Sequence, residues 1–95
     1  MKGYVIGEID VKNPAAYNEY RKQVLATIEK FGGRFLVRGG KNEAFEGSPP
    51  AGRIVVLEFP SYERAATWYR SAEYAPLIKM RQAASKGRLL LVEGA

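Results

Sequence analysis

Apolar and polar positions alternate along Gly3–Val11, GYVIGEIDV, with the period of a strand. Asn13 then offers an N-cap and Pro14 a first helical position, the pairing that opens many helices. Tyr17, Tyr20, Val24, Ile28 and Phe31 follow at three- and four-residue spacings, which makes one buried helical stripe. Gly32-Gly33 closes that helix. A second strand, Arg34–Arg38 (RFLVR), runs to Gly39-Gly40, and an extended piece, Glu43–Glu46, is expected to continue it beyond a turn or bulge. Gly47–Gly52, GSPPAG, reads as a loop. Arg53–Phe59, RIVVLEF, is a strand stopped by Pro60, and Ser61 caps a helix with a predicted stripe of Tyr62, Ala65, Ala66 and Tyr69. A break at Ser71–Ala75, a short helix Pro76–Ser85, a stop at Gly87 and a last strand, Arg88–Glu93 (RLLLVE), complete the reading.

The order β-α-β-β-α-β predicts an α+β domain spanning residues 1–95, a split β-α-β sheet with its helices on one face. Val55, Leu57 and Phe59 oppose Ile54 and Val56 across the third strand, and Leu90 and Val92 oppose Leu89 and Leu91 in the fourth. Val5, Ile9 and Val11 oppose Tyr4 and Ile6 in the first. Both faces are therefore apolar, whereas a half-solvated antiparallel sheet alternates cleanly. The expectation is a homodimer joined through the open sheet face.

Composition narrows the chemistry. The 95 residues include no histidine and no cysteine. That removes a His base, a Cys nucleophile, a nitrogen- or sulfur-ligated zinc and a His haem ligand. No acidic cluster has the spacing of a carboxylate metal site, so neither metal nor cofactor is expected. The absence of cysteine and of a long apolar run makes a cytoplasmic, membrane-free location the expectation. The net charge of +5 comes from fifteen basic and ten acidic residues scattered along the chain, the pattern of a solvated surface. An RNA-recognition domain shares this element order but needs aromatics on the open face of its third strand. Ile54, Val56 and Glu58 stand there instead, and no nucleic acid is expected.

The run EFPSYERAATWYRSAEYAPLIKMRQAA, Glu58–Ala84, resembles the signature of domain-of-unknown-function family 1330, as do RGGKNEAFEG, Arg38–Gly47, and the closing VEG, Val92–Gly94. The resemblance covers nearly the whole chain. It implies a ferredoxin-like fold of the dimeric α/β-barrel superfamily and a pocket between sheet and helices, but no activity. Relatives in that superfamily include cofactor-free monooxygenases, haem-degrading enzymes, dismutases and muconolactone isomerases. A fold shared by so many chemistries is only an analogy.

Several residues are candidates for such a pocket. Trp68 sits on the flank of its helix stripe, which suits a pocket wall, an interface or plain packing. Tyr69 lies on the stripe, which favours the core, with its hydroxyl needing a partner. Arg81 falls between Leu77 and Ile78 in an apolar sector, so it binds an anion, snorkels to water or enters a structural ion pair, the last two being favoured. Glu58 and Glu93 are poor partners for it, since alternation puts them on the open face. Arg38 before Gly39-Gly40 ends a strand in a turn or an anion nest. Ser71 and Tyr74 flank the break, Ser71 as a helix cap. The expected pocket set is Arg38, Glu58, Trp68, Tyr69, Ser71, Tyr74 and Arg81, for a small, partly apolar, anionic ligand. If the protein is an enzyme, cofactor-free oxidation or isomerisation with Glu58 or Tyr69 moving a proton fits best. A structural or regulatory dimer without catalysis is the alternative.

Overall fold

The computed structural model describes residues 1–95. Strand β1 (Gly3–Val11) leads into Asn13, whose side-chain oxygen accepts the Ala16 backbone N–H at 3.2 Å and starts helix α1 (Pro14–Lys30). That bond satisfies one of the amides a helix start leaves free. Strands β2 (Arg34–Arg38) and β3 (Arg53–Phe59) follow, then helix α2 (Tyr62–Tyr69), capped by Ser61 Oγ accepting from the Arg64 N–H at 3.1 Å. Helix α3 (Ala75–Ala84) and strand β4 (Ser85–Glu93) end the chain.

The sheet order is β2-β3-β1-β4, with every neighbouring pair antiparallel. The fold is ferredoxin-like, an α+β sandwich with its three helices over one sheet face. Val5 pairs with Leu57 and Leu91, so those side chains share the helix face; Ile6 pairs with Val56 and Leu90 on the open face. Val5, Ile9, Val55, Leu57 and Phe59 pack under Tyr17, Tyr20, Val24 and Ile28 of α1 and under Trp68, Tyr74 and Leu77. Ile28 has no exposed surface, and its truncation to alanine would cost about 2–5 kcal/mol. The open face carries half-buried Ile6, Ile54 and Val56 and exposed Val37, Leu90 and Val92. The pairs Glu58–Arg34 and Glu8–Arg88 lie at its margins.

Three expectations are corrected. Glu43–Glu46 forms no strand; residues 39–52 are a loop on which Phe45 stands 91% exposed. β3 begins only at Arg53, so nothing is available to pair with a longer β2. The irregularity lies inside β2 instead, between Phe35 and Val37. Gly87 does not stop a helix either. α3 ends at Ala84, and β4 runs through Gly87, which sits against the Glu8 carbonyl so closely that a Cβ has no room. On α2 the buried side is Ala65, Ala66 and Trp68, while Tyr62 and Tyr69 are exposed. The helix has eight residues, too few for its own periodicity to decide its facing. Trp68 decides it by packing on Phe59, with ring centroids 5.3 Å apart.

Candidate functional site

A narrow slot opens between α1, the sheet and the Ser71–Tyr74 turn. Its volume is ≈ 30 Å³, room for about two waters. Aromatic groups build its inner end. Ser71 Oγ donates to the Trp68 carbonyl at 2.7 Å and accepts the Tyr74 N–H at 3.2 Å, and this turn folds Tyr74 back onto Trp68. The two rings stack at 4.1 Å. Trp68 Nε1 donates to Thr27 Oγ1 at 3.0 Å, and the Tyr20 and Tyr74 hydroxyls meet at 2.8 Å. Burial, then Tyr74, pushes the Tyr20 phenol well above the ordinary tyrosine range. Tyr20 is therefore held protonated, and either hydroxyl of the Tyr20–Tyr74 pair can be the donor.

The outer end is cationic. Arg53 Nη2 donates to the Arg38 carbonyl at 3.2 Å, and Arg38 Nη2 donates to the Arg21 carbonyl at 3.2 Å. The Arg38 guanidinium lies over the Phe35 ring at 4.2 Å and that of Arg53 over Tyr17 at 5.6 Å. Nε of Arg21 and Nε of Arg53 are buried without a partner. No aspartate or glutamate is among the fourteen residues lining the slot. Desolvation, then the charges of Arg21 and Arg53, lowers the Arg38 pKa from its ordinary value. Outside the slot a wide bowl of ≈ 500 Å³ shares Arg21 and Arg38 and adds Asn18, Lys22 and Glu19. Its single carboxylate, Glu19, is held by Lys22 at 3.1 Å.

The β2 irregularity is what brings Arg38 here. Phe35 pairs with Leu57, and Arg38 pairs with Val55. Three residues of β2 thus span two of β3, and the extra residue turns both Phe35 and Arg38 toward the helices. Regular alternation would have sent Arg38 to the open face.

Arg38, Trp68 and Tyr74 of the expected set line the slot. Glu58 does not. It lies across the sheet, accepting from Arg34 Nε at 3.0 Å and Tyr4 hydroxyl at 3.3 Å. Tyr69 faces a separate apolar groove of ≈ 160 Å³ beside Leu89, Leu90 and Leu91. Ser71 spends its hydroxyl on the turn, as a cap does. Arg81 lies behind the two tyrosines, only 6% exposed, with its Nε unpartnered and no carboxylate in contact. It neither snorkels nor forms the ion pair that was favoured, because α1 and the turn close over it before the side chain reaches water. Desolvation lowers its pKa, but Tyr74, Tyr20 and Tyr69 outweigh that and the net shift is upward. The Gly39 amide donates across to the Ile54 carbonyl of β3 at 2.8 Å and is thereby used, while Gly39 itself leaves the strand at φ +71°.

Sequence reasoning missed Arg21, Arg53, Tyr17 and Tyr20 as slot residues. A signal existed for Arg53, since alternation from Val55, Leu57 and Phe59 puts it on the helix face. No group of three potential ligand side chains that could hold a metal is present, and no helix is long and apolar enough to cross a membrane.

The sequence profile described as Domain of unknown function (DUF1330) matches residues 2–95. A protein of unknown function from Rhodopseudomonas palustris is similar in structure, with a TM-score of 0.79 and 19% identity over 99% of this chain and 82% of that one. A dimeric ferredoxin-like protein of unknown function from Jannaschia sp. has a TM-score of 0.68 and 14% identity over 100% and 99% of the two chains. SnoaB, a cofactor-independent oxygenase from Streptomyces nogalater, has a TM-score of 0.65 and 13% identity over 99% and 93%. No curated protein matches the chain. At these identities the likeness is one of fold.

Proposed function

The chain belongs to the DUF1330 family of domains of unknown function, and from that premise we propose that it acts as a homodimer binding a small, partly apolar anion in the slot of each subunit. One observation carries the reading: three guanidinium groups meet at the slot with no carboxylate on its walls, and two keep buried, unpartnered Nε–H donors. An uncompensated buried donor costs about 1–3 kcal/mol. A bound anion would satisfy such donors and relieve the mutual repulsion of the cations. The aromatic inner end suits an apolar group, with the protonated Tyr20 able to donate to an oxygen.

The apolar open face supports the dimer, since a patch of this kind on a sheet marks an interaction surface. The dimeric Jannaschia protein of the same fold supports it further. Val56→Lys, at the centre of that face, should convert a dimer to a monomer in light scattering. A monomer mass for the unaltered protein at micromolar concentration would refute the dimer.

Where turnover follows binding, cofactor-free oxidation or isomerisation is the class proposed, in line with the SnoaB fold. A dimerisation module without catalysis is the second reading, favoured by the small volume of the slot. Calorimetry with short aliphatic and aromatic carboxylates and lactones tests the binding. The expected result is a ligand whose affinity drops about tenfold or more in Arg38→Met, with Arg34→Ala on the open face unchanged. Failure of every anion tested, carboxylate or not, to bind would move the assignment to the dimerisation module.

A further inference from the structure

Charge and shape at the slot mouth say more about the anion. Arg53, Arg38 and Arg21 form one connected cluster, Arg53 donating to the Arg38 backbone carbonyl and Arg38 to that of Arg21. They come from three elements, β3, β2 and α1, and converge on one opening. The neighbouring Lys22–Glu19 pair is internally neutral, so the mouth carries three uncompensated positive charges. A monoanion would leave two of them facing one another. Two separated carboxylates would need two separated cationic sites, and there is one. A tetrahedral oxyanion presents three terminal oxygens from a single centre, which matches donors arriving from three directions. The slot's ≈ 30 Å³ is shared between its cationic and aromatic ends, so beyond the mouth it admits a body of only a few carbon atoms.

We propose that the ligand of this site is a short-chain phosphate monoester in its dianionic form, its phosphate at the Arg21–Arg38–Arg53 cluster and its alkyl end against Tyr20 and Tyr74. This rests on the anion-binding reading of the slot and narrows its ligand class. The bowl shared by Arg21 and Arg38 gives the phosphate its route from solvent.

The test uses ethyl phosphate and ethyl sulfate, close in size and shape, measured by calorimetry at fixed ionic strength. Ethyl phosphate is mostly dianionic at about pH 7.5 and mostly monoanionic at about pH 5, its second pKa being near 6; ethyl sulfate is a monoanion throughout. The chain has no histidine or cysteine. The groups facing the cluster are Tyr17, Tyr20, Lys22 and Glu19 of α1, Tyr74 of the turn and Arg81 of α3 behind it. Whatever they contribute is read from ethyl sulfate over the same pH range.

The expected result is a preference for ethyl phosphate of about tenfold or more at the higher pH, falling toward parity at the lower one. Arg21→Gln and Arg53→Gln should each narrow that preference, while Arg34→Ala leaves it unchanged. Should a variant fail to fold, judged by Trp68 fluorescence, the ratio and its pH dependence in the unaltered protein still decide. From methyl to ethyl phosphate the affinity should rise about fourfold; a gain continuing through hexyl phosphate overturns the short-body half of the proposal. Equal binding of phosphate and sulfate esters overturns the dianion, and tighter binding of succinate than of ethyl phosphate overturns the phosphate class. Both outcomes leave an anion slot standing, as does binding of carboxylates alone. Failure of every anion to bind overturns this inference and the slot reading together.

Discussion

Arg53 lies across Gly39: a Cβ on that glycine would stand 2.6 Å from the guanidinium carbon. The glycine takes φ +71°, a left-handed conformation that side chains disfavour. One backbone position thus serves two ends, turning the chain out of β2 and leaving room for a cation of the slot mouth.

Gly39→Ala should therefore lower both stability and anion affinity. The guanidinium can swing aside, but the backbone angle cannot relax, so the stability loss should be about 1–2 kcal/mol. Thermal denaturation reads it as about 4–8 °C for each kcal/mol in a domain of this size. Gly39→Asn should recover part of the loss in stability, because asparagine visits the left-handed region more easily. Its recovery of anion binding should be smaller, because the Cβ still displaces Arg53.

Trp68 ties α2, the turn and α1 together, being 1% exposed, stacked on Tyr74 and bonded to Thr27. Trp68→Ala should cost about 3–5 kcal/mol, a large part of what a domain this small possesses. Trp68→Phe keeps the stack, loses the bond to Thr27 and should cost less than half as much. Chemical denaturation followed by far-UV circular dichroism compares the two without needing the indole.

Arg81 is a buried cation with no carboxylate in contact, so its desolvation is offset only by the phenol groups around it. Replacing a buried charge with an apolar group of similar length is often neutral or stabilising. Arg81→Met is expected to retain the midpoint of the unaltered protein or exceed it. A loss of more than about 2 kcal/mol would mean that its interaction with the surrounding phenols outweighs the desolvation.

Stability should be level through neutral pH and fall in alkali. Tyr17 and Tyr20 are raised above the ordinary value of 10.0, burial being the largest cause for both. The unfolded chain releases those protons near the ordinary value while the folded chain keeps them. The folded state then binds more protons, so the stabilisation is complete below about pH 10 and is lost as pH rises through the folded pKa values. The slope approaches about 1.4 kcal/mol per pH unit for each tyrosine. Denaturation midpoints between about pH 7 and 11 check this; Tyr20→Phe should make the alkaline decline shallower.

The sequence by itself determined what is local and periodic. Asn13-Pro14 and Ser61 announce their helices because a cap needs only residues adjacent to it. The two-sided apolar strands announce a sheet with an uncovered face because side chains alternate at every step. Even the break at Ser71 is legible, since Ser71 and Pro76 mark a new start. Only the tertiary structure decided the site. Arg38 reaches the slot through an extra residue in β2 that no composition signal marks, whereas Glu58 stays on the open face that alternation along its strand predicts. Trp68 faces inward because Phe59 and Tyr74, distant or across a turn, present the surfaces that hold it. Arg21, Arg38 and Arg53 become one cluster through strand register and helix docking, which set distances between segments that periodicity along any one segment does not encode.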